Sequence, residues 1–231
     1  MAKAPRPGHV KTRLQGLLTA DEAAAMGAAF LADTTANMAD AARCAPIHPY
    51  VAYAPAGQEW RFDGVIATGT RLVLADGSGA PDAPGVEGFG RILLHAVTAL
   101  FALGYGGVAL ISADSPTVPT AWLAGAANRI LAPGARGLLG AANDGGYWLI
   151  GLQRAVPDLF AHIAWSTDTV AAATLARAAA AGLTMEPAGT WFDVDDRDSL
   201  AQLLDPAPGA SAAPATTGLL TVLGLRERLA T

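Results

Sequence analysis

Cysteine is nearly absent from the sequence, and its scarcity excludes one large class of proteins. Cys44 is the single cysteine in 231 residues, so no disulfide can form within the chain. Small secreted domains held together by disulfides are therefore excluded, and nothing implies an oxidising compartment. The four histidines also lack the mutual spacing of a zinc site. The expectation is a cytoplasmic protein without structural zinc.

Positive charge is scarce as well. The chain has 15 Lys and Arg residues against 20 Asp and Glu residues, which gives a formal net charge of −5. A chain without a global positive field is not expected to bind nucleic acid or an anionic membrane surface. The basic residues near the N-terminus precede no apolar segment, so a secretory signal is not predicted either.

Charged residues are missing altogether from positions 92 to 113, a span long enough to cross a bilayer. Gly104, Gly106 and Gly107 interrupt this span, and each half is then too short for a membrane helix. The pattern predicts instead a helix that ends near Leu103, followed by a buried strand at Val108–Ile111. Since 52% of the residues are hydrophobic, the chain can form a large core of its own.

Hydrophobic periodicity and capping patterns predict helices that alternate with strands. Thr19–Glu22 has the pattern of a capping box and begins a helix that reaches about Ala42. The other predicted helices cover 89–103, 119 to before Pro133, 166–182 and 197–204, and the predicted strands cover 49–54, 71–74, 108–111, 138–139, 147–152, 184–186 and 191–194. Such alternation predicts an α/β protein with three layers, in which helices cover both faces of a mostly parallel central sheet.

Composition divides the chain into three parts. Residues 1–204 carry the alternating pattern and form one domain. Residues 205–218 are rich in Pro, Ala, Gly, Ser and Thr, which predicts a flexible linker. Residues 219–231 form a short C-terminal helix that either docks back onto the domain or pairs with a second subunit in a homodimer.

Basic residues are concentrated at the start of the chain, where acidic residues are absent. Lys11 and Arg13 offer a point charge and a planar fork, the two ways in which proteins hold phosphate. Lys3 adds a third cation, Pro5 stiffens the loop and Gly8 lets its backbone approach a ligand closely. The spacing is not that of a P-loop, and a solvated basic N-terminus is the alternative.

Carboxylates follow two of the predicted strands. Asp114 comes directly after the strand at 108–111, and Asp193 and Asp195 lie on the same side of an extended segment. Ligands of open α/β sheets bind beyond the carboxyl ends of the strands, and carboxylates there can hold Mg²⁺ or Mn²⁺. The alternatives are that Asp114 forms a turn and that Asp195 or Asp196 caps the following helix.

Two further motifs combine polar, aromatic and small residues. Asp144, Gly145, Gly146 and Tyr147 suit either a tight turn or a sugar or nucleotide site, because paired glycines leave room for a ligand. Trp165, Ser166 and Thr167 open the helix predicted at 166–182. They offer either a plain cap by Ser166 or backbone N–H groups that bind an anion.

These segments together resemble a known family. The chain contains, in order, Lys3–Leu14, Ser112–Pro116, Asp144–Gly151, Trp165–Thr167 and Asp193–Asp195. This order is similar to that of the bacterial glycosyltransferase-like family DUF2064, which includes arsenosugar-biosynthesis-type glycosyltransferases. The sequence resembles phospholactate and molybdenum-cofactor nucleotidyltransferases more distantly. The resemblance covers about residues 1–204 and implies the GT-A fold of nucleotide-diphospho-sugar transferases.

The resemblance also implies roles for individual residues. Lys11 and Arg13 would contact phosphates, Asp114 would be the principal metal ligand, and Asp195, with Asp193, would complete the metal site. The residues implied on the sugar or acceptor side are Asp144, Gly145, Gly146, Tyr147, Trp165, Ser166 and Thr167. The chain departs from its relatives at the start, where an apolar first strand is expected and is predicted to be missing, since the sequence begins directly with Met1 and Ala2.

Three functions are compatible with these residues. The leading one is metal-dependent glycosyl transfer from a nucleotide-sugar to a small-molecule acceptor, with Asp144 as the residue that orients or deprotonates the acceptor. The second is nucleotidyl transfer from a nucleoside triphosphate with release of pyrophosphate, as in guanylyltransferases, which the same residues could support. The third is a nucleotide-binding protein with a decayed site, which the missing first strand would explain.

Overall fold

Strands and helices alternate along the chain, as its periodicity predicts. The computed structural model describes residues 1–134 and 136–230. The strands are β1 (Ala2–Lys3), β2 (Tyr50–Ala54), β3 (Arg71–Leu74), β4 (Val108–Ile111), β5 (Arg136–Ala142), β6 (Tyr147–Leu152) and β7 (Thr184–Trp191). The helices are α1 (Ala20–Ala41), α2 (Phe89–Ala102), α3 (Thr120–Leu131), α4 (Val170–Ala180), α5 (Arg197–Gln202), α6 (Pro214–Val222) and α7 (Leu225–Ala230).

The strands form two sheets. The first contains β1, β2 and β3, all parallel, and the second has the order β4-β6-β5-β7. In the second sheet β6 is antiparallel to both β4 and β5, whereas β5 and β7 are parallel. Helix α2 packs against β4 in the largest core cluster, and α3 packs against the second sheet in another. The predicted α/β class is confirmed, and no helix among the described residues is long and apolar enough to cross a membrane.

The sequence predicts that the first strand is missing. In the structure this strand is present, but it has only two residues. Ala2 and Lys3 pair with Tyr53 and Ala54 of β2, and the amino group of Met1 donates a hydrogen bond of 2.8 Å to the carbonyl oxygen of Ile111. Burial lowers the pKa of this amino group to about 6. A cavity of about 340 Å³ lies between β2 and β4 beside Met1, and apolar side chains of α1, α2 and α3 line it.

Local signals in the sequence explain several boundaries. Thr19 and Glu22 form the predicted capping box, in which each side chain accepts from the other's backbone N–H, and α1 starts there. Strands β3 and β6 have the predicted bounds. The charge-free segment divides into α2 and β4 as expected, because the glycines between them break the helix.

Strand β7 differs from the prediction of two separate strands at 184–186 and 191–194. It is continuous from Thr184 to Trp191, and residues 192–194 lie outside it. Pro187 and Gly189 suggest a break, but β7 is an edge strand, where a proline need not donate a hydrogen bond. Its partner β5 is longer than the two residues predicted, because the pairing with β7 extends from Arg136 to Ala142.

The C-terminal segment also differs from the prediction of a linker at 205–218 and one helix at 219–231. Helix α6 already begins at Pro214, because proline is favourable at the first position of a helix. Before it, the Ser211 backbone N–H donates to the carbonyl of Thr117. Helices α6 and α7 dock back onto α1 in a shared apolar cluster. Thr231, the last residue of the predicted helix, lies outside the described residues.

Two carboxylates of α1 hold this segment in place. Asp33 is 2% exposed, and its two oxygens accept hydrogen bonds from the backbone N–H groups of Ala215 at 3.1 Å and Thr216 at 2.7 Å. A carboxylate at this position caps the N-terminus of α6. Glu22 accepts two hydrogen bonds from Arg228 of α7, and these bonds lower the pKa of Glu22 to about 2.

We predict that Asp33→Ala lowers the free energy of unfolding by about 2–3 kcal/mol, because it leaves two buried N–H groups without an acceptor. The measurement is urea denaturation followed by circular dichroism. Asp40→Ala is the matched control on the same helix, since the Asp40–Arg43 pair is exposed and 4.0 Å long. It is expected to change the stability by less than about 0.5 kcal/mol. Equal losses in the two variants would contradict the prediction.

Candidate functional site

A cleft of about 450 Å³ opens beyond the carboxyl ends of β1, β2 and β4. This is the position at which open α/β sheets bind their ligands. The predicted site residues that line it are Lys3, Lys11, Arg13, Asp114, Tyr147, Asp193 and Asp195. The cleft therefore collects the basic N-terminal loop and the carboxylates that follow β4 and β7.

The ammonium group of Lys11 lies between two of these carboxylates. Its Nζ atom is 2.6 Å from Oδ1 of Asp114 and 3.1 Å from Oδ1 of Asp195. It also donates a hydrogen bond of 2.6 Å to the carbonyl oxygen of Val194 and lies 5.0 Å from the ring centre of Phe30. The Lys11 side chain is 4% exposed, whereas those of Asp114 and Asp195 are 42% and 38% exposed. The predicted convergence of these three residues is present.

Backbone hydrogen bonds bring the two acidic segments together. The N–H of Val194 donates to the carbonyl oxygen of Asp114 at 2.8 Å, which joins the end of β4 to the segment after β7. The N–H of Asp114 donates to Oγ of Ser112, which tightens the turn. Asp196 caps α5 through Ser199, so one of the two predicted capping candidates has this role. Asp195 is left free to face Lys11.

Asp193 differs from the other two carboxylates because it is more deeply buried. Its Oδ1 accepts a hydrogen bond from the hydroxyl of Ser115, which is 3% exposed. Burial, together with the negative charges of Asp114, Asp195 and Asp144, raises the pKa of Asp193 to about 7. Asp193 thus contributes to the cleft as a carboxyl group that is only partly ionised at neutral pH. The sequence does not predict the contact with Ser115.

The rest of the basic loop is divided between the cleft and the surface. Arg13 lines the cleft with its side chain 63% exposed, and its nearest carboxylate is Asp195 at 3.7 Å. Lys3 lines the opposite wall at the end of β1. Pro5 and Gly8, which were predicted to approach phosphate, do not line the cleft. Their backbone shapes the loop, and Gly8 has a φ of +76° that suits glycine.

The Asp-Gly-Gly motif forms the turn between β5 and β6. Oδ1 of Asp144 accepts a hydrogen bond of 2.9 Å from the N–H of Gly146, the geometry of an Asx turn. Gly145 is required there, because a Cβ atom would lie 1.9 Å from the carbonyl oxygen of Asp168. Neither Asp144 nor the two glycines line the cleft, although Asp144 is close enough to Asp193 to affect its pKa.

Aromatic rings form part of the rim and floor of the cleft. The ring of Phe89 lines it, is 45% exposed, and packs edge-on against Trp165 at 5.3 Å. The ring of Tyr147 lines the floor, and burial raises the pKa of its hydroxyl well above the usual range. The sequence does not predict that Phe89 is at the site. Phe89 directly follows residues 76–88, which are rich in Gly, Pro and Asp. This position is the one sequence signal that could have indicated Phe89 as a site residue.

The motif at 165–167 does not open a helix, contrary to the prediction. Helix α4 begins at Val170, and no side chain caps it. Thr169 is the residue that precedes α4, so Ser166, whose φ is +64°, does not cap this helix as predicted. The hydroxyl of Thr167 donates to the carbonyl oxygen of Ala164 and contacts that of Thr169. Local hydrogen bonding by short hydroxyl side chains competes here with the helix.

The oxygen atoms around Lys11 are suited to a hard cation. The carboxylates of Asp114 and Asp195 and the carbonyl of Val194 are the oxygen ligands that Mg²⁺ and Mn²⁺ prefer. They already surround one cation, the Lys11 ammonium. Within the part of the chain that the structure describes, no group of three or more His, Cys, Asp or Glu residues is placed to hold a metal. The carboxylates of Asp114 and Asp195 are thus two candidate oxygen ligands for such a cation.

We predict that Asp193→Asn removes a pH dependence of stability. A carboxyl group with a pKa near 7 in the folded protein and about 3.9 in the unfolded chain stabilises the protein below pH 4. That contribution is lost as the pH rises to 7 and amounts to about 4 kcal/mol. The unfolding free energy of the wild type should therefore fall, relative to that of Asp193→Asn, between pH 4 and pH 7.

The measurement is urea denaturation at several pH values in the presence of a chelator. Comparing the two proteins cancels the titration of the groups that do not interact with Asp193. Asp82→Asn is the control, because the side chain of Asp82 is fully exposed. It should follow the wild type at every pH. Parallel curves for the wild type and Asp193→Asn would show that Asp193 is ionised normally in the folded protein.

Comparisons with known proteins agree with this fold. A model of the family described as uncharacterized proteins conserved in bacteria (DUF2064) matches residues 37–167, more than half of the chain. A crystal structure at 1.90 Å resolution of a candidate nucleotide-diphospho-sugar transferase from Desulfovibrio desulfuricans G20 is similar, with a TM-score of 0.78 and 26% sequence identity. The match covers 98% of this chain and 95% of that chain. No curated protein matches the sequence. The fold is thus of the nucleotide-diphospho-sugar transferase type, and the chain belongs to the DUF2064 family.

Proposed function

We propose that this chain transfers a glycosyl group from a nucleotide-diphospho-sugar to a small-molecule acceptor with the help of a divalent metal ion. The observation that carries the proposal is the convergence of Lys11, Asp114 and Asp195 on one cleft beyond the strand ends. The fold shared with the D. desulfuricans protein supports this class of donor. Mg²⁺ or Mn²⁺ is the proposed cofactor.

The diphosphate of the donor would lie against the basic loop. Arg13 has an exposed guanidinium group on the cleft wall, and a planar fork of N–H donors matches a phosphate oxygen pair. Lys3 adds positive charge from the opposite wall. Because the leaving nucleoside diphosphate gains negative charge as the glycosyl bond breaks, fixed cations at this place stabilise the transition state.

Asp114 and Asp195 would hold the metal ion, with Asp193 behind them. A bound Mg²⁺ or Mn²⁺ would supply positive charge that neutralises the leaving diphosphate. Because Asp193 is only partly ionised at neutral pH, it would contribute mainly through the hydrogen bond that it accepts from Ser115. That bond fixes the segment after β7 relative to the turn after β4.

The aromatic rim would bind the planar nucleobase of the donor or the apolar face of its sugar. Phe89 presents an exposed ring that Trp165 holds edge-on. On the acceptor side, Asp144 remains our candidate for orienting the acceptor hydroxyl. Its turn lies next to the cleft, and its charge acts on Asp193. The cytoplasmic location and the homodimer that the sequence suggests remain predictions.

The main test is the loss of transfer on Asp114→Ala. Removing one such charged contact should cost roughly 2–4 kcal/mol of transition-state stabilisation, which is roughly 30- to 1000-fold in kcat/KM. The assay measures nucleoside diphosphate released from a panel of nucleotide-sugars with Mg²⁺ or Mn²⁺. Asp82→Ala is the control and should keep full activity, because Asp82 is exposed and outside the cleft.

The released product distinguishes the proposed reaction from its rival. Glycosyl transfer releases a nucleoside diphosphate, whereas nucleotidyl transfer from a nucleoside triphosphate releases pyrophosphate. Full activity and full metal dependence in Asp114→Ala would show that Asp114 is not the metal ligand. A protein that neither reacts with nor is thermally stabilised by any nucleotide in the panel would contradict the proposal as a whole.

We predict that Arg13→Ala weakens binding of a nucleoside diphosphate by roughly 10- to 150-fold, the usual contribution of hydrogen bonds to a charged group. The Arg13 side chain is mostly exposed, so its removal should leave the fold intact. Arg6→Ala is the matched control, because Arg6 belongs to the same loop but contacts His9 and does not line the cleft. Isothermal titration calorimetry measures both. Equal weakening by the two substitutions would indicate a general charge effect instead of a phosphate contact.

A further inference from the structure

The side chain of Lys11 is more completely engaged than phosphate binding requires. Its Nζ donates hydrogen bonds to Oδ1 of Asp195 and the carbonyl oxygen of Val194, and it forms an ion pair of 2.6 Å with Oδ1 of Asp114. The side chain is 4% exposed and its ammonium faces the ring of Phe30. In this conformation the ammonium group is therefore surrounded by three protein oxygens and shielded from a ligand phosphate.

The acceptors of Lys11 are the oxygens that would hold a divalent cation. A metal ion bound to Asp114 and Asp195 would take the position of the ammonium group, and two cations cannot share it. We infer that Lys11 is an internal cation that competes with the metal ion for Asp114 and Asp195, so that the metal binds only when Lys11 leaves. This inference rests on the metal-dependent function proposed above.

The backbone at Lys11 is compatible with such an exchange. Lys11 has φ 49° and ψ 38°, a left-handed conformation that is unfavourable for a residue other than glycine. The ion pairs with Asp114 and Asp195 offset this cost in the metal-free state. Departure of the ammonium group would release that constraint. The next residues, Thr12–Leu14, form a short 3-10 helix anchored by Leu14, which is 1% exposed, so the movement can be confined to Lys11 itself.

The exchange couples the metal to the donor diphosphate. A diphosphate beside Arg13 offers new acceptors for the Lys11 ammonium, and a metal ion takes over the carboxylates that Lys11 leaves. Each ligand then lowers the cost of binding the other, which is positive coupling between two sites in one cleft. In the absence of both ligands, Lys11 neutralises carboxylates that would otherwise repel each other.

The test uses Mn²⁺ alone, without nucleotide, and measures free Mn²⁺ by electron paramagnetic resonance. Lys11→Met should bind Mn²⁺ about 5- to 150-fold more tightly than the wild type. Lys3→Met is the matched control, because it removes the same charge from the same cleft, and no ion pair of Lys3 occurs among the described residues. It should change Mn²⁺ affinity by less than Lys11→Met. The double variant Lys11→Met with Asp114→Asn should lose the gain.

A second measurement uses the wild type and remains informative if Lys11→Met does not fold. An amine-reactive reagent followed by mass spectrometry should label Lys11 slowly without metal and faster once Mn²⁺ is bound, while labelling of Lys3 stays constant. Equal Mn²⁺ affinity in the wild type and Lys11→Met, absence of Mn²⁺ binding in both, or continued protection of Lys11 in Mn²⁺-saturated protein would each overturn the inference. Because no donor or turnover is involved, these outcomes are separate from failure of the proposed reaction.

Discussion

The ammonium group of Lys11 joins three segments that are far apart in the sequence. It belongs to the N-terminal loop and contacts Asp114, after β4, and Val194 and Asp195, after β7. The backbone hydrogen bond from Val194 to Asp114 brings the last two segments together, and Lys11 adds the first. This one group therefore links the basic N-terminal loop to both acidic segments of the cleft.

Such a cluster is poorly explained by stability alone. Moving an ammonium group and two carboxylates out of water is costly, and buried ion pairs often stabilise a protein no better than apolar residues of the same size. Here the carboxylates keep about 40% of their side-chain surface exposed, whereas the ammonium keeps 4%. The acidic side of the pair thus faces the cleft and remains accessible, which favours a role in binding. Asp193, with Ser115, supports this side from within.

The sequence predicts much of the fold because its local signals are strong. The capping box at Thr19 sets the start of α1, and the apolar run before Asp114 sets β4. The convergence of Lys11, Asp114 and Asp195 follows from the rule that ligands bind beyond strand ends, together with the family resemblance. Two features depend on tertiary contacts that no local pattern reports. One is the continuation of β7 through Pro187 at a sheet edge, and the other is the docking of the segment before α6.

The gap between β2 and β4 has a mechanical consequence for the cleft above it. Lys3 stands on the first sheet and Asp114 on the second, and among the described residues no strand of one sheet pairs with a strand of the other. The contact from Met1 to Ile111 is a single main-chain hydrogen bond at the base of this gap. The spacing between the two walls is therefore fixed by side-chain packing around a cavity, which is more compliant than a ladder of hydrogen bonds. A small sliding of one sheet against the other would change the width of the cleft and leave every strand pairing intact.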